Sequence, residues 1–338
     1  MNKRSAYFKK LYIILAVLAV LALLPMVIRS NYIISVCINF CAYAAFATAW
    51  NVVGGYAGQL GLAHAAFFSI GAYTSFLMYL RLDVSPWIGM LAAIVISSLF
   101  ALLIGAVTFR FRGPYFMLST IAFGKLVETV LLWQKDLTKG ANGLVIPVRG
   151  NSFSTLVFVD TIYYYYILLG LLILSLLIAW QIERSKMGYY LRAIKADENA
   201  AESLGIETKN WKILAFLISA IVVTVVGVVY AFYLAYIDPV AIGGMDISTK
   251  ILAIAVVGGL GNLFGPLLGA LLLIPLIELM NAVVQGGAGM MFYGLALILI
   301  MIFRPKGLVS FFTREQGESP IKKAAMRILG KARIREGR

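Results

Sequence analysis

Eleven charged side chains, six basic and five acidic, crowd into residues 183–212, ERSKMGYYLRAIKADENAAESLGIETKNWK, between two long apolar runs. Elsewhere polar and ionisable groups stand isolated in apolar sequence, notably Gln59, His64, Lys125, Glu128, Glu278 and Asn281. Such a distribution points to two chemistries. A long polar segment can dock a partner from water, since a plain connection between helices needs only a few residues. An ionisable group at membrane depth is costly there, so it is a candidate for a solute pathway. Bond-making chemistry is not indicated. No G-x-x-x-x-G-K-[ST] run exists to cradle ATP, because Gly124-Lys125 lacks the upstream glycine and the following Ser or Thr. One histidine and two cysteines, Cys37 and Cys41, on one helix face cannot build a conventional zinc site. A nucleophile, base and orienter set is also missing. The sequence predicts no catalytic residue, no metal and no cofactor bound by this chain.

The elements that must hold these groups are membrane helices. Of 338 residues 62% are hydrophobic, and the mean hydropathy is +0.91, more apolar than a soluble domain needs. A bilayer crossing takes roughly 20 apolar residues, and the strand alternation of an outer-membrane barrel is absent. The expected fold class is all-α and polytopic, with ten spans at 11–28, 32–53, 60–80, 86–109, 114–134, 161–182, 211–236, 247–260, 266–284 and 288–303. The span 247–260 is short, covering about 21 Å of a ~30 Å core at ~1.5 Å per residue, so a broken or re-entrant helix is the alternative. The run 11–28, after Lys3, Arg4, Lys9 and Lys10, is longer than a typical signal-peptide core and reads as an uncleaved first helix.

Charge sets the expected orientation. Lys3–Lys10, Arg110 and Arg112, the 183–212 segment and the tail fall on one side, which the positive-inside rule makes cytoplasmic. The net charge of +14 is concentrated at the C-terminal end, where residues 304–338 hold ten basic and three acidic residues. On a membrane protein this reads as orientation rather than nucleic-acid binding. The chain divides into a basic cytoplasmic N-terminus (1–10), a transmembrane domain (11–303) and a basic cytoplasmic tail (304–338). The connection 135–160, with Lys135, Lys139 and Arg149, is extracytoplasmic and lacks a strong secondary-structure pattern. Glycines cluster inside spans, where they allow close packing or broken helices. The runs Asn51-Val52-Val53-Gly54-Gly55 and Ala255-Val256-Val257-Gly258-Gly259 look alike, and both end a span on the cytoplasmic side.

Within the polar segment, a helix over 189–204 would place Ala193, Ala196, Ala200 and Leu204 on one face and Lys195, Glu198 and Glu202 on another. Gly205 is a natural stop, with Ile206 supplying the apolar contact that follows. Short helices are marginal alone in water, so this one needs a surface. Its small face lacks the Trp, Phe and Leu of a good membrane binder, which favours a protein groove over the bilayer interface. Among the intramembrane groups, Lys125 and Glu128 are either an ion pair holding their helix or part of a pathway. Glu278, between Pro275 and Asn281, is either a structural hydrogen-bond partner or a gating group. Gln59 and His64 lie in a glycine-rich stretch, where a lone histidine is more often a helix–helix hydrogen-bond partner than a ligand.

Several motifs share one family likeness. Glu198-Asn199-Ala200-Ala201-Glu202-Ser203-Leu204-Gly205-Ile206 resembles the cytoplasmic coupling segment of ABC importer permeases. Asn51–Thr74, NVVGGYAGQLGLAHAAFFSIGAYT, looks like the signature of the branched-chain amino acid ABC permeases of the LivH/LivM type. Gly113–Phe123, Gly140-Ala141-Asn142-Gly143-Leu144 and Phe303-Arg304-Pro305-Lys306-Gly307-Leu308 are similar to further stretches of that family, in order along the chain. The likeness is closer to the LivM type, mainly through the full 183–206 segment. The family commonly carries a second glycine where Lys139 stands, and its Ser and Gly pattern varies around Gly61–Ala63.

The resemblance implies a permease subunit in a bacterial or archaeal plasma membrane, working by alternating access. It implies a second, LivH-like permease, two cytoplasmic ATP-binding subunits that use the ATP, and an extracytoplasmic substrate-binding protein. Lipid surrounds it, and no nucleic acid is involved. Glu198, Ala200, Ala201, Glu202 and Gly205 are the expected ATPase contact. Branched-chain or related amino acids are the expected cargo, with urea or a short amide as the alternative within the family. An ion-coupled secondary transporter is the alternative class.

Overall fold

The computed structural model describes residues 30–147, 150–283 and 307–311, with positions 294 and 298. The expected spans 11–28 and 288–303, the N-terminus 1–10, Arg149 and the tail apart from 307–311 lie outside the described residues. The described chain is almost entirely helical. Its elements are α1 (Asn31–Asn51), α2 (His64–Leu82), α3 (Pro86–Thr108), α4 (Pro114–Trp133), α5 (Lys135–Thr138), α6 (Thr161–Arg184), α7 (Lys186–Ala196), α8 (Glu198–Ser203), α9 (Thr208–Leu234), α10 (Pro239–Gly243), α11 (Met245–Gly258) and α12 (Gly265–Val283). Among the described residues, eight helices are long and apolar enough to cross a membrane, and they coincide with the second to ninth expected spans. The protein is a multi-pass membrane protein.

Sequence punctuation sets the helix starts. Pro86, Pro114 and Pro239 open α3, α4 and α10, where a proline's missing N–H costs nothing. Asp238 adds a side-chain cap, accepting from the N–H groups of Val240 and Ala241 at 3.0 and 2.9 Å. α1 and α9 form the centre. α1 packs on α6, α9, α11 and α12, and α9 packs on α2 and α3 as well. α1 is buried from Phe40 to Asn51. By contrast α3 and α4 expose Leu91, Leu99, Leu103, Leu118 and Leu126, the apolar exterior expected where lipid is the solvent.

Three expectations change. The eighth span is longer than 247–260, because α10 and α11 together form a 20-residue crossing, Pro239–Gly258. Gly244, at φ −63° and ψ 157°, breaks it near one end. The third span does not begin at residue 60. α1 ends in a π-helical turn, Val52–Tyr56, the backbone stays irregular to Ala63, and α2 starts at His64. Gly58, at φ +72°, makes the bend available.

The third change concerns the 135–160 connection, whose described residues are tied to neighbouring helices. β1 (Leu144–Val145) pairs antiparallel with β2 (Tyr236–Ile237), tying the connection to the end of α9. Trp87 Nε1 donates to the Phe153 carbonyl at 2.8 Å, and Tyr164 donates its hydroxyl to the Leu156 carbonyl at 2.8 Å. Lys139 stands here at φ +59°, a left-handed conformation that glycine adopts without steric cost. That is the physical sense of the glycine expected at this position.

Candidate functional site

The polar segment folds as two helices, not one. Asp197 adopts an extended conformation (φ −158°, ψ 114°) and ends α7. Its carboxylate then accepts the Ala200 N–H at 3.1 Å and starts α8. Asp competes with the helix for its own backbone groups, which is why it caps here rather than continuing. The alanines of 193–204 therefore do not form one continuous face. The stop at Gly205 is as the sequence indicates. Gly205, at φ +81°, donates to the Glu202 carbonyl at 2.9 Å, and Ile206 donates to the Ala201 carbonyl at 3.1 Å, which closes a Schellman motif.

α8 turns one face outward and one inward. Asn199, Ala200, Ser203 and Leu204 are exposed, Leu204 to 81%. Ala201 is buried against the body. An almost fully exposed leucine beside a groove of about 580 Å³, lined by Tyr190, Leu204, Ile206, Trp211 and Leu214 among others, gives this end an apolar feature within charged surroundings.

The two glutamates of α8 hold it in place. Glu198 accepts from Lys212 Nζ at 2.6 Å, and the Lys212 side chain, at the start of α9, is only 1% exposed. That ammonium also lies 5.6 Å from the Phe109 ring centroid. Glu202 accepts from the Thr208 hydroxyl at 2.6 Å. Arg112, in the α3–α4 turn, lies 3.8 Å from Glu198 and 3.7 Å from Glu202 and donates to Asn199 Oδ1 at 2.6 Å. A short helix that would not persist alone is thus tied to one membrane helix and a turn.

A second junction lies beside α7. The first of the two look-alike glycine runs meets the residues just after the second, Gly261 and Asn262. Asn51 Oδ1 accepts the Gly261 N–H at 2.9 Å, and Asn51 Nδ2 donates to the Asn262 carbonyl at 3.0 Å. A Cβ on Gly55 would stand 1.9 Å from Asn51 Oδ1 and 2.6 Å from Gly261 N, so the backbones touch because no side chain intervenes. Lys195 Nζ donates to the Gly55 carbonyl at 2.7 Å. Desolvation pulls the Lys195 pKa below the ordinary lysine value. Gln59 is part of this irregular backbone, its N–H on the Val53 carbonyl at 3.2 Å.

The remaining predicted groups lie deeper or apart. His64 is fully buried, its Nε2 2.8 Å from Ser219 Oγ, which in turn donates to the Ala49 carbonyl at 2.7 Å. Trp50, Phe67 and Phe216 surround the imidazole. His64 thus joins α1, α2 and α9 as a helix–helix hydrogen-bond partner. Lys125 and Glu128 pair at 2.6 Å on α4, with Glu128 4% and Lys125 67% exposed. Glu278 accepts from Asn39 Nδ2 at 2.9 Å, and Asn39 Oδ1 accepts from the Tyr230 hydroxyl at 3.0 Å, linking α12, α1 and α9. Asn281 is exposed at the next turn. The structure brings Glu198 and Glu202 together through Arg112, whereas His64, the Lys125–Glu128 pair and Glu278 occupy three separate places.

Sequence reasoning missed Lys212, Arg112, Asn51, Asn39 and the reach of Lys195. Lys212 carried a signal, a lysine just inside an apolar run, and Asn51 another, an amide directly before a Gly-Gly break. Arg112 reads from the sequence only as an orientation charge, and nothing local marks Asn39.

Comparison with known proteins bears on this arrangement. Residues 32–303 match the family described as "Branched-chain amino acid transport system / permease component". The chain is 32% identical over 288 residues to the high-affinity branched-chain amino acid transport system permease protein LivM of Salmonella typhimurium, covering 79% of this chain and 67% of that protein. It is 30% identical over 294 residues to BraD of Pseudomonas aeruginosa (79% and 91% covered) and 27% identical over 290 residues to LivH of Escherichia coli (79% and 91% covered). No solved structure matches it.

Proposed function

The chain belongs to the branched-chain amino acid transport permease family, and on that premise we propose that it is one membrane-spanning subunit of an ATP-driven importer of branched-chain amino acids. It pairs with a second permease of the same family, and the two take cargo from an extracytoplasmic binding protein. ATP is hydrolysed on two cytoplasmic subunits. This chain contributes the pathway wall and the contact that receives their motion, in the plasma membrane of its cell.

The observation that carries the reading is α8. Ala200 and the C-cap Leu204 are exposed on its outward side, while Glu198, Asn199 and Glu202 fix the helix to Arg112, Thr208 and Lys212. A contact surface mounted this way transmits displacement, because moving α8 pulls on α9 and on the α3–α4 turn together. α9 packs on α1, α2 and α3, so a tilt of α9 redistributes the central helices. Alternating access is then a population shift between two packings, biased by the state of the ATPase pair. The roles of the five expected contact residues divide accordingly. Ala200 meets the partner, Glu198, Ala201 and Glu202 seat the helix, and Gly205 closes it.

The test is uptake of radiolabelled leucine into proteoliposomes holding both permeases and both ATP-binding subunits, with binding protein added. Uptake that requires ATP, the ATP-binding subunits and the binding protein is expected. Uptake by this chain alone, driven by a proton or sodium gradient, would instead establish a secondary transporter.

A further inference from the structure

The coupling contact at α8 is only half of the polar segment. The other half, α7, ends where two membrane spans terminate side by side. The π-helical turn at Val52–Tyr56 ends the first, and the glycine run at 258–261 ends the second, ahead of α12. Span ends leave backbone groups outside helical pairing, and π-helical turns recur at functional positions. Asn51 supplies two cross-links between the segments, to Gly261 N–H and to the Asn262 carbonyl. Lys195 supplies a third contact, from a chain position 140 residues away, with its ammonium on the Gly55 carbonyl at 2.7 Å.

The glycines make room for that lysine. A Cβ on Gly58 would lie 3.0 Å from Lys195 Cγ, and a Cβ on Gly261 would lie 3.2 Å from Lys195 Nζ and 2.8 Å from the Gly55 carbonyl oxygen. Both glycines also have positive φ, +72° and +74°. The lysine therefore lies across both loops at once, with its stem over one and its head between the other and Gly55. Lys195 is two residues before Asp197, the cap that starts α8. Movement of α8 reaches Lys195 through a single extended residue.

We infer that Lys195 is a positioning residue that latches the coupling segment to the junction of the two span ends at the cytoplasmic mouth of the pathway. When the ATPase pair displaces α8, Lys195 draws on Gly55 and so on the contact between the two span ends. This rests on the importer reading above. A flexible lysine stem suits such a latch, since one ammonium donor can follow a carbonyl that shifts by a small distance. The residue is exposed overall although its ammonium is desolvated against Gly55, so its loss is not expected to unfold the protein.

The test compares the wild type with Lys195→Met and Lys195→Arg in the complete reconstituted complex, with leucine as the transported probe. Leucine uptake, ATP hydrolysis, subunit co-purification and thermal unfolding are measured on the same preparations. Lys195→Met is expected to keep assembly, unfolding temperature and ATP hydrolysis while the leucine carried per ATP falls about tenfold. Lys195→Arg, which keeps a cationic donor, should restore part of that ratio. An unchanged ratio in Lys195→Met would overturn the inference while leaving the importer reading standing. So would a parallel fall in ATP hydrolysis and assembly, which would mark Lys195 as a docking or purely structural residue. Absence of ATP-driven uptake in the wild-type complex would overturn the importer reading itself, and the latch with it.

Discussion

Replacing Glu198 with alanine is expected to destabilise the protein by about 3–5 kcal/mol, the range for removing one partner of a buried ion pair. The reason is the partner left behind. Lys212, 1% exposed, would be left with no carboxylate at 2.6 Å. The reciprocal change should be milder. Lys212→Met retains the apolar stem and removes the buried charge, and replacing buried ionic groups with apolar side chains of similar volume is often tolerated. Glu198, 16% exposed, would still have the Arg112 guanidinium at 3.8 Å. The double variant Glu198→Ala with Lys212→Met should recover most of the loss, because it removes both charges from the site. Thermal unfolding of the four proteins in lipid nanodiscs measures this cycle. A Lys212→Met variant less stable than Glu198→Ala would show that the pair does not seat α8 in this way. Transport should follow stability, with Glu198→Ala losing leucine uptake and the ATP-binding subunits together.

Adding one methyl group at Gly55 is the second large effect. The new Cβ would meet Asn51 Oδ1 at 1.9 Å and Gly261 N at 2.6 Å. Asn51 can rotate away only by giving up its bonds to Gly261 and Asn262, and the backbone obstruction remains after it has done so. Overpacking of a fitted contact costs about 1–3 kcal/mol, and at this junction the strain falls on the meeting point of two spans. Gly55→Ala is therefore expected to insert and assemble but to transport leucine at least about tenfold more slowly. Gly170→Ala is the control. Nothing lies within 4 Å of its added Cβ, in the middle of α6, so alanine there should be neutral or stabilising by about 0.5–1 kcal/mol. Equal damage from the two substitutions would remove the special status of the junction.

The membrane helices and their order were readable from apolar runs of bilayer length, since nothing else requires so much apolar sequence. The proline and glycine boundaries were readable too, at Pro86, Pro114 and Gly205. What could not be read was how breaks behave in three dimensions. The eighth span looked too short because its first residues, Pro239–Gly243, precede a break at Gly244 that interrupts the periodicity. Residues 60–63 looked apolar enough to be helix, yet there the backbone meets Phe116 and Thr120 of α4, a contact that local sequence does not encode. The polar segment stood out through its charge and small residues. Its division at Asp197 turned on a cap competing with helix continuation, a contest that neighbouring packing decides. The sharpest limit was pairing. Glu198 reads as a surface acid until Lys212 is brought beneath it, and His64 reads as a possible ligand until Ser219 is found 2.8 Å away.

The central claim is that α8 presents one defined side to an ATP-binding subunit. Site-directed photo-crosslinking tests it most directly. In a chain whose buried Cys37 and Cys41 are replaced by alanine, single cysteines are placed at Ala200, Leu204 and Ala201 and labelled with a cysteine-reactive benzophenone within the assembled complex. Leu204→Cys and Ala200→Cys should capture the ATP-binding subunit, whereas Ala201→Cys, buried in the body, should take little label and capture none. Capture from none of these positions, in a complex that still transports leucine at the expense of ATP, would contradict the account.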